Sequence, residues 1–414
     1  MKITTFTCLA LLILTGTVLV SRAESYRTDI NPALLYYQAF ILAPNLLGAD
    51  LDYLQTNNWQ GQKLPERFGT AVSDYEAELK LLRQAAQQKV SCDWAIDMSR
   101  GPDTPLPHLA AAKRAAIGAR YHAMWDLQNG KEAEARDDLL AAFVLARNVS
   151  RDEPMIGALV QYADEAIVCD TVAANFGQFS PETLKQFVDG LDAAPALGTM
   201  AAAIMMTDKL SGPDWLANKI QKLQKENPSN DAKVLEAVQG FEYSYGNKDT
   251  NVWQRILIAS GRTSDGLLKL VRDMEPLYPR LARIMTLPLP EYEDRIQKFD
   301  TEIQKSQNPL VPVFFPFPVQ SPRPREFRIQ ALEAMVHAAV EYKLHGESGL
   351  KSVMDPLGKG PFAFQRFVFE GVDRGFELKS AYTGTGYPCA LIFVEKKGTS
   401  FRIDGPHIGE AIQP

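Results

Sequence analysis

Between Asn31 and His345 the apolar residues return every three or four positions, in one segment after another, and Pro, Gly, Ser or Asn separates the segments. That period belongs to helices that each bury one stripe of their surface. A chain built this way folds as layers of packed helices, because no single stripe can be covered except by another helix. Asn31 and Pro32 open the first helix as cap and first-turn proline, and "ALLYYQAFILA" is apolar on nearly every side, so burial on most faces is expected. A second helix is expected over about 46–54. A clearly amphipathic helix follows Thr70, with Val72, Tyr75, Leu79, Leu82 and Ala86 on one stripe, ending near Lys89.

The segments 108–128 and 131–149 form a helical hairpin around Asn129-Gly130, with Ala119 and Ala123 set to face Ala135, Leu139 and Ala142. It resembles one tetratricopeptide-type hairpin, but no second copy follows at a period of about 34 residues, so a regular repeat array is not expected. Further helices are read over 153–175, 181–192, 197–209, 213–225, 231–245, 252–259, 264–287 and 291–305, with Glu275-Pro276 and Pro279 kinking or splitting the seventh of these. The stretch "NPLVPVFFPFPVQSPRPR", from Asn308 to Arg325, holds six prolines and reads as an extended connector on a hydrophobic surface. One more helix covers 326–345. The period then changes to two in "PFAFQRFVFE", "GFELKSAY" and "CALIFVEKK", which predicts a small antiparallel sheet of roughly three strands. The expected class is mostly α: an irregular stack of antiparallel helix pairs with a small C-terminal antiparallel β-sheet.

The N-terminus reads as an address. Lys2 precedes an uncharged run from Ile3 to Val20, and "SRA" puts small residues where a signal peptidase reads them, so residues 1–23 are expected to be a signal peptide. A retained N-terminal anchor is the alternative. Cleavage would remove Lys2 and Arg22 and take the net charge from −6 to −8. Such a chain attracts neither nucleic acid nor anionic lipid through its overall charge. Cys92, Cys169 and Cys389 remain; three thiols are not a disulfide framework, and no Cys or His pair has structural-zinc spacing.

One stretch interrupts the helices: "SCDWAIDMSRGPDTPLPHL", Ser91 to Leu109. A catalytic reading makes Cys92 the nucleophile, His108 its base and Asp93 or Asp97 the orienting carboxylate. Cys92, however, follows a helix C-terminus, whose negative dipole end disfavours a thiolate. A structural reading has Trp94 and Ile96 filling a gap between helices, Asp93 bonding loop amides and His108 in the first turn of the next helix; it is the reading we favour. Glu333, His337, Glu341 and His345 recur every four residues and are the candidates for a metal site, although a charged flank beside a core stripe is what an ordinary surface helix shows. "DPLGKGP" lacks the GK[ST] of a phosphate loop and reads as a turn. No cofactor is expected.

Two places carry a resemblance. Cys92, Asp93, Trp94, Gly101, Pro102, Leu106, Pro107, His108, Leu109, Asp137-Asp138 and Glu153-Pro154, together with "NPALLYYQAFILAP", resemble a family of exported, helix-rich bacterial proteins of unknown function. That resemblance implies a helical fold and an exported location, and no reaction. The segment with Tyr342, Gly346, Asp355-Pro356, 362–370 and 375–382 resembles the end of that family and also the soluble part of type II secretion pseudopilins. "ESGLKS" stands where the pseudopilin Tyr-Pro is usual and "YTGTGYPCALIF" replaces its calcium-binding end, so only the local β architecture is implied.

The expected organisation is therefore a signal peptide over 1–23, a helical body over 24–320 and a pseudopilin-like tail over 321–414. The expected function is that of a periplasmic or secreted non-catalytic scaffold or protein-binding protein of the cell envelope. Its partner would be another envelope or secreted protein, with no nucleic acid, and with a membrane only if the N-terminal segment is retained. An exported hydrolase using the 91–109 loop is the alternative.

Overall fold

The computed structural model describes residues 29–44, 64–245, 251–315, 319–369, 371–383 and 389–396. The expected signal peptide and the helix expected over 46–54 lie outside these residues. The remainder is mostly helical with a three-stranded antiparallel sheet near the C-terminus, as the change of period predicts. Helices of eight residues or more are α1 (Pro32–Leu42), α2 (Glu76–Ala86), α3 (Pro107–Gln128), α4 (Glu132–Val149), α5 (Met155–Ala174), α6 (Pro181–Asp192), α7 (Met200–Ser211), α8 (Pro213–Glu226), α9 (Asp231–Val238), α10 (Val252–Ala259), α11 (Ser264–Arg272), α12 (Leu277–Met285), α13 (Leu289–Gln304) and α14 (Arg323–His345). Strands are β1 (Ala363–Phe369), β2 (Val372–Lys379) and β3 (Ala390–Val394).

Capping explains where several helices begin. The Asn31 Oδ1 accepts from the Ala33 amide at 3.1 Å ahead of Pro32, and the side chains of Ser180, Thr199, Asn230 and Thr263 accept from amides in the same way. The long helix expected over 264–287 is split into α11 and α12 at Glu275-Pro276. α1 corrects an expectation: Ala33, Tyr36 and Ala39 are buried, but Leu34 and Ile41 stand exposed, so it buries one face rather than most.

The α3–α4 hairpin closes through Gly130 at φ 75°, a left-handed turn that glycine adopts without cost. Alanines let the two helices approach: Ala112, Ala115, Ala119 and Ala123 on α3 and Ala135 and Ala142 on α4 are fully buried. Around this hairpin, α2 packs on α1 and α4, α5 on α3 and α4, and α6 on α4. α14 lies across α5 and α6, and β3 packs on α5 and α14. The sheet is ordered β1-β2-β3, and Phe376 and Phe393 from it meet Phe176 edge-on at 5.8 and 5.2 Å. One contiguous apolar cluster thus runs from Ala33 to Phe393. β2 starts earlier than its apolar run, at Val372, directly after the turn at Gly371, and the β1–β2 ladder is bulged where Phe367 and Val368 face Gly375 and Asp373.

The proline-aromatic connector is not extended throughout. Val311–Phe314 makes one helical turn, and Leu310, Val311, Val313, Phe314 and Val319 are buried. The Phe314 ring stacks on Phe241 at 6.0 Å, and Phe315 meets Tyr278 at 5.1 Å. This piece belongs to the core rather than to a partner-facing surface. α14 begins three residues before the expected start, and Arg323 is nearly buried, paired with Glu326 and lying 4.3 Å over the Phe327 ring.

Candidate functional site

The loop from Ser91 to Leu109 is pinned along its length. The Trp94 ring is 4% exposed and packs against Tyr36 at 5.6 Å, Phe40 at 6.3 Å and His108 at 4.7 Å. Its Nε1–H donates to the Asn148 carbonyl at 2.9 Å, and the Tyr37 hydroxyl donates to the Trp94 carbonyl at 3.2 Å. The Asp93 amide donates to Asn31 Oδ1, the same side-chain oxygen that caps α1. Asp93 Oδ1 accepts from the Ala95 amide at 2.9 Å, which holds Ala95 at φ 53°. Asp97 Oδ1 accepts from the Ser99 amide at 2.9 Å and starts a 3-10 segment, Met98–Asp103, so the loop is not extended throughout despite its prolines. At Gly101, φ 62°, a Cβ would fall 2.1 Å from the Trp215 ring of α8, so only glycine fits.

This packing buries Cys92 and His108 and occupies Asp93. Burial pushes the Cys92 thiol up to about 12, with Arg151 opposing the shift only in part, so the thiol is protonated at any physiological pH. His108 is 1% exposed, lies under the Trp94 ring, and has Nε2 3.3 Å from Glu153 Oε1. No hydrogen bond joins Cys92 to His108 among the described residues, and Asp93 is exposed and occupied by its own loop.

The metal candidates on α14 are engaged by other partners or by one another. Glu333 Oε2 accepts from Arg147 at 2.7 Å, and Arg147 also pairs with Glu165 at 2.5 Å, tying α14, α4 and α5 together. Burial pushes the Glu165 carboxyl up to about 8, and Arg147 opposes this. His337 Nε2 lies 3.6 Å from Asp192, while Glu341 faces His345 at 3.7 Å on the exposed side.

A different cluster forms where α2, α3 and α4 meet. His122 Nδ1 is 2.7 Å from Asp138 Oδ2 and 3.2 Å from Asp126 Oδ2, and its Nε2 is 3.5 Å from Glu76. Arg83 pairs with Asp138 and, at 2.6 Å, with Glu76. Burial pulls the His122 proton affinity down, but the hydrogen bonds and charges of Asp126 and Asp138 outweigh it and push the imidazole up to about 9. Burial pushes Asp138 up against the pull of His122 and Arg83. Both cations, His122 and Arg83, touch its carboxyl group. Among the described residues, His122, Asp126 and Asp138 are the set whose ligand atoms could meet at a metal ion. His122 and Arg83 already supply two positive charges beside those carboxylates, so a metal ion there would have to displace the His122 proton and face the Arg83 guanidinium. The cluster therefore braces α2 against α3 and α4. An imidazolium at neutral pH is also a poor general base.

Arg83 lines, on its other side, a groove of about 730 Å³. Its walls are the end of α2 with residues 86–91, the outer face of α4, and the turn after α6. Leu140, Val144, Ala86, Ala194 and Pro195 give it an apolar floor, and Gly190 brings α6 close, since a Cβ there would meet Leu140 at 2.6 Å. Arg83, Lys89 and Arg151 stand on its rim, with Asp137 the single acid, itself paired with Arg136. Lys89 and Arg151 form no ion pair among the described residues. The sequence reading missed this site, because Lys89 and Arg151 lie on different segments and each looks like an ordinary surface charge. The i,i+4 spacing of His122 and Asp126 is a local signal that could have pointed to the brace.

Comparison of the chain with family models, with curated proteins and with solved structures finds no match. Among the described residues no helix is long and apolar enough to cross a membrane.

Proposed function

We propose that this chain is an exported, non-catalytic binding protein of the cell envelope, and that the groove between α2, α4 and α6 receives an acidic segment of another envelope or secreted protein. The observation that carries the reading is the groove itself: an apolar floor under a rim of cations, two of them without a carboxylate partner among the described residues. A segment with one or two apolar side chains beside Asp or Glu complements it in both shape and charge. Two rigid devices support the walls. The Trp94 latch fixes the chain leaving α2, and the His122–Asp138–Arg83 brace fixes α2 itself, so little ordering is lost on binding. The hydrolase alternative finds less support, because its thiol is protonated and buried and its histidine is stacked under Trp94.

Selection of a random displayed-peptide library on the purified chain tests the reading. Enriched peptides should combine apolar and acidic residues, weaken with salt, and lose at least about tenfold in affinity for a Lys89→Glu/Arg151→Glu variant, as expected when charge-assisted contacts are reversed. No enrichment, or peptides that bind the variant equally well, would remove the proposal.

A further inference from the structure

A second concavity, remote in sequence from the groove, lies between α12 and α13. It measures about 310 Å³ and is lined by Arg280, Arg283, Arg295 and Lys298 over Ile284 and Leu287. Four cations around one hollow are notable in a chain of net charge −6. Their spacing explains the arrangement: Arg280 and Arg283 are three apart on α12, Arg295 and Lys298 three apart on α13, so each helix turns one cationic pair to the hollow between them.

The four are not equivalent. Arg280 is held by Glu302 through two bonds, at 2.6 and 2.5 Å, with its guanidinium 5.2 Å from the Phe299 ring. Lys298 donates to Asp294 at 2.6 Å. Arg283 and Arg295 form no ion pair among the described residues, and Glu291, one turn before Arg295, makes none with it. Two exposed guanidiniums thus face one hollow without an ion-pair partner among the described residues, while Arg280 and Lys298 are held by Glu302 and Asp294. A guanidinium presents a planar fork of donors that matches an oxyanion.

We propose that this hollow is a phosphate-binding site, taking a phosphomonoester or phosphodiester whose adjoining apolar part rests on Ile284 and Leu287. A phosphomonoester carries about −1.5 to −2 charges at neutral pH, which matches the guanidiniums of Arg283 and Arg295. The same group is offered by a soluble phosphate ester and by an anionic lipid headgroup, and the test separates these sources. The site is independent of the α2–α4–α6 groove and of the function proposed for it.

Titration of the full chain with phenyl phosphate at low ionic strength, followed by calorimetry, should give saturable binding. Both arginines are exposed, so Arg283→Gln/Arg295→Gln should fold normally by circular dichroism and weaken binding by about tenfold or more, the scale of two lost charge-assisted bonds. Lys185→Gln, on α6, should leave binding unchanged. In parallel, sedimentation with phosphatidylglycerol vesicles against phosphatidylcholine vesicles reads the lipid source. Vesicle binding that the double variant abolishes assigns the site to a headgroup; phenyl phosphate binding without vesicle binding assigns it to a soluble ester. Absence of both, or binding that the double variant leaves intact, overturns the proposal.

Discussion

Replacing Trp94 with Ala removes the centre of the latch. The ring is almost wholly buried and touches Tyr36, Phe40 and His108 face to face and Tyr37 edge-on. An indole of this kind buries about 150–250 Å², worth roughly 4–6 kcal/mol at about 25 cal/mol per Å². Alanine keeps a little of that, and the walls can collapse in part, so about 3–5 kcal/mol of stability should be lost. The Asn148 carbonyl also loses one of its donors, keeping the Arg151 amide. Trp94→Phe isolates that last contribution: it keeps most of the ring and should cost about 1–3 kcal/mol. Cys92→Ser exchanges a buried sulfur for a hydroxyl and should cost less than Trp94→Ala. Urea unfolding followed by far-ultraviolet circular dichroism measures all three, read from midpoints at constant slope. If Trp94→Ala stays within about 1 kcal/mol of the parent, or Cys92→Ser is the more damaging, the latch is not what holds this loop.

Two predictions concern pH. His122 is pushed up to about 9, so its contribution is fully present below the usual imidazole value and is lost as pH rises through about 9. The stake is about 3 kcal/mol, and His122→Phe should flatten the decline that the parent shows between roughly pH 6.5 and 9; an unchanged pH profile in the variant would contradict the brace. Asp164 is buried, neither of its carboxylate oxygens has a hydrogen-bond partner among the described residues, and burial pushes it up to about 8. Its stabilising protonated form is present below the usual carboxylate range and is lost as pH rises through about 8, so Asp164→Asn should gain stability relative to the parent at alkaline pH in thermal melts and little at pH 4. Equal melts at both pH values would argue against a buried neutral acid.

The helical period made most of the fold legible in the chain, because each helix buries a stripe that must be written in its residues. Asn129-Gly130, Ser180-Pro181 and Gly212-Pro213 mark real boundaries for the same reason: left-handed turns and first-turn prolines are local chemistry. Helix ends decided by packing were less legible. α14 starts at Arg323 because its guanidinium finds Glu326 and Phe327, which sequence spacing alone does not rank above solvent. The loop from Ser91 to Leu109 showed its Trp94 anchor and its glycine, but not its 3-10 turns, which come from the Asp97 side chain. The groove was illegible for a physical reason. Its floor and rim come from α2, α4, the turn after α6 and Arg151, and nothing in any one of these segments records that the others stand opposite. The four-residue stripe from Glu333 to His345 misled in the other direction, since Arg147 arrives from α4 to claim Glu333.

The central claim is that the groove holds an acidic segment of a partner. A photo-crosslinking amino acid placed at Val144, on the groove floor, and in a control chain at Ile258, exposed on α10, measures this in native cells. The account predicts a defined adduct from position 144 that is absent from position 258, that disappears when Lys89 and Arg151 are both changed to Glu, and whose crosslinked peptide carries Asp or Glu beside an apolar residue. The same adducts from both positions, or an adduct from position 144 that survives the charge reversal, would contradict it.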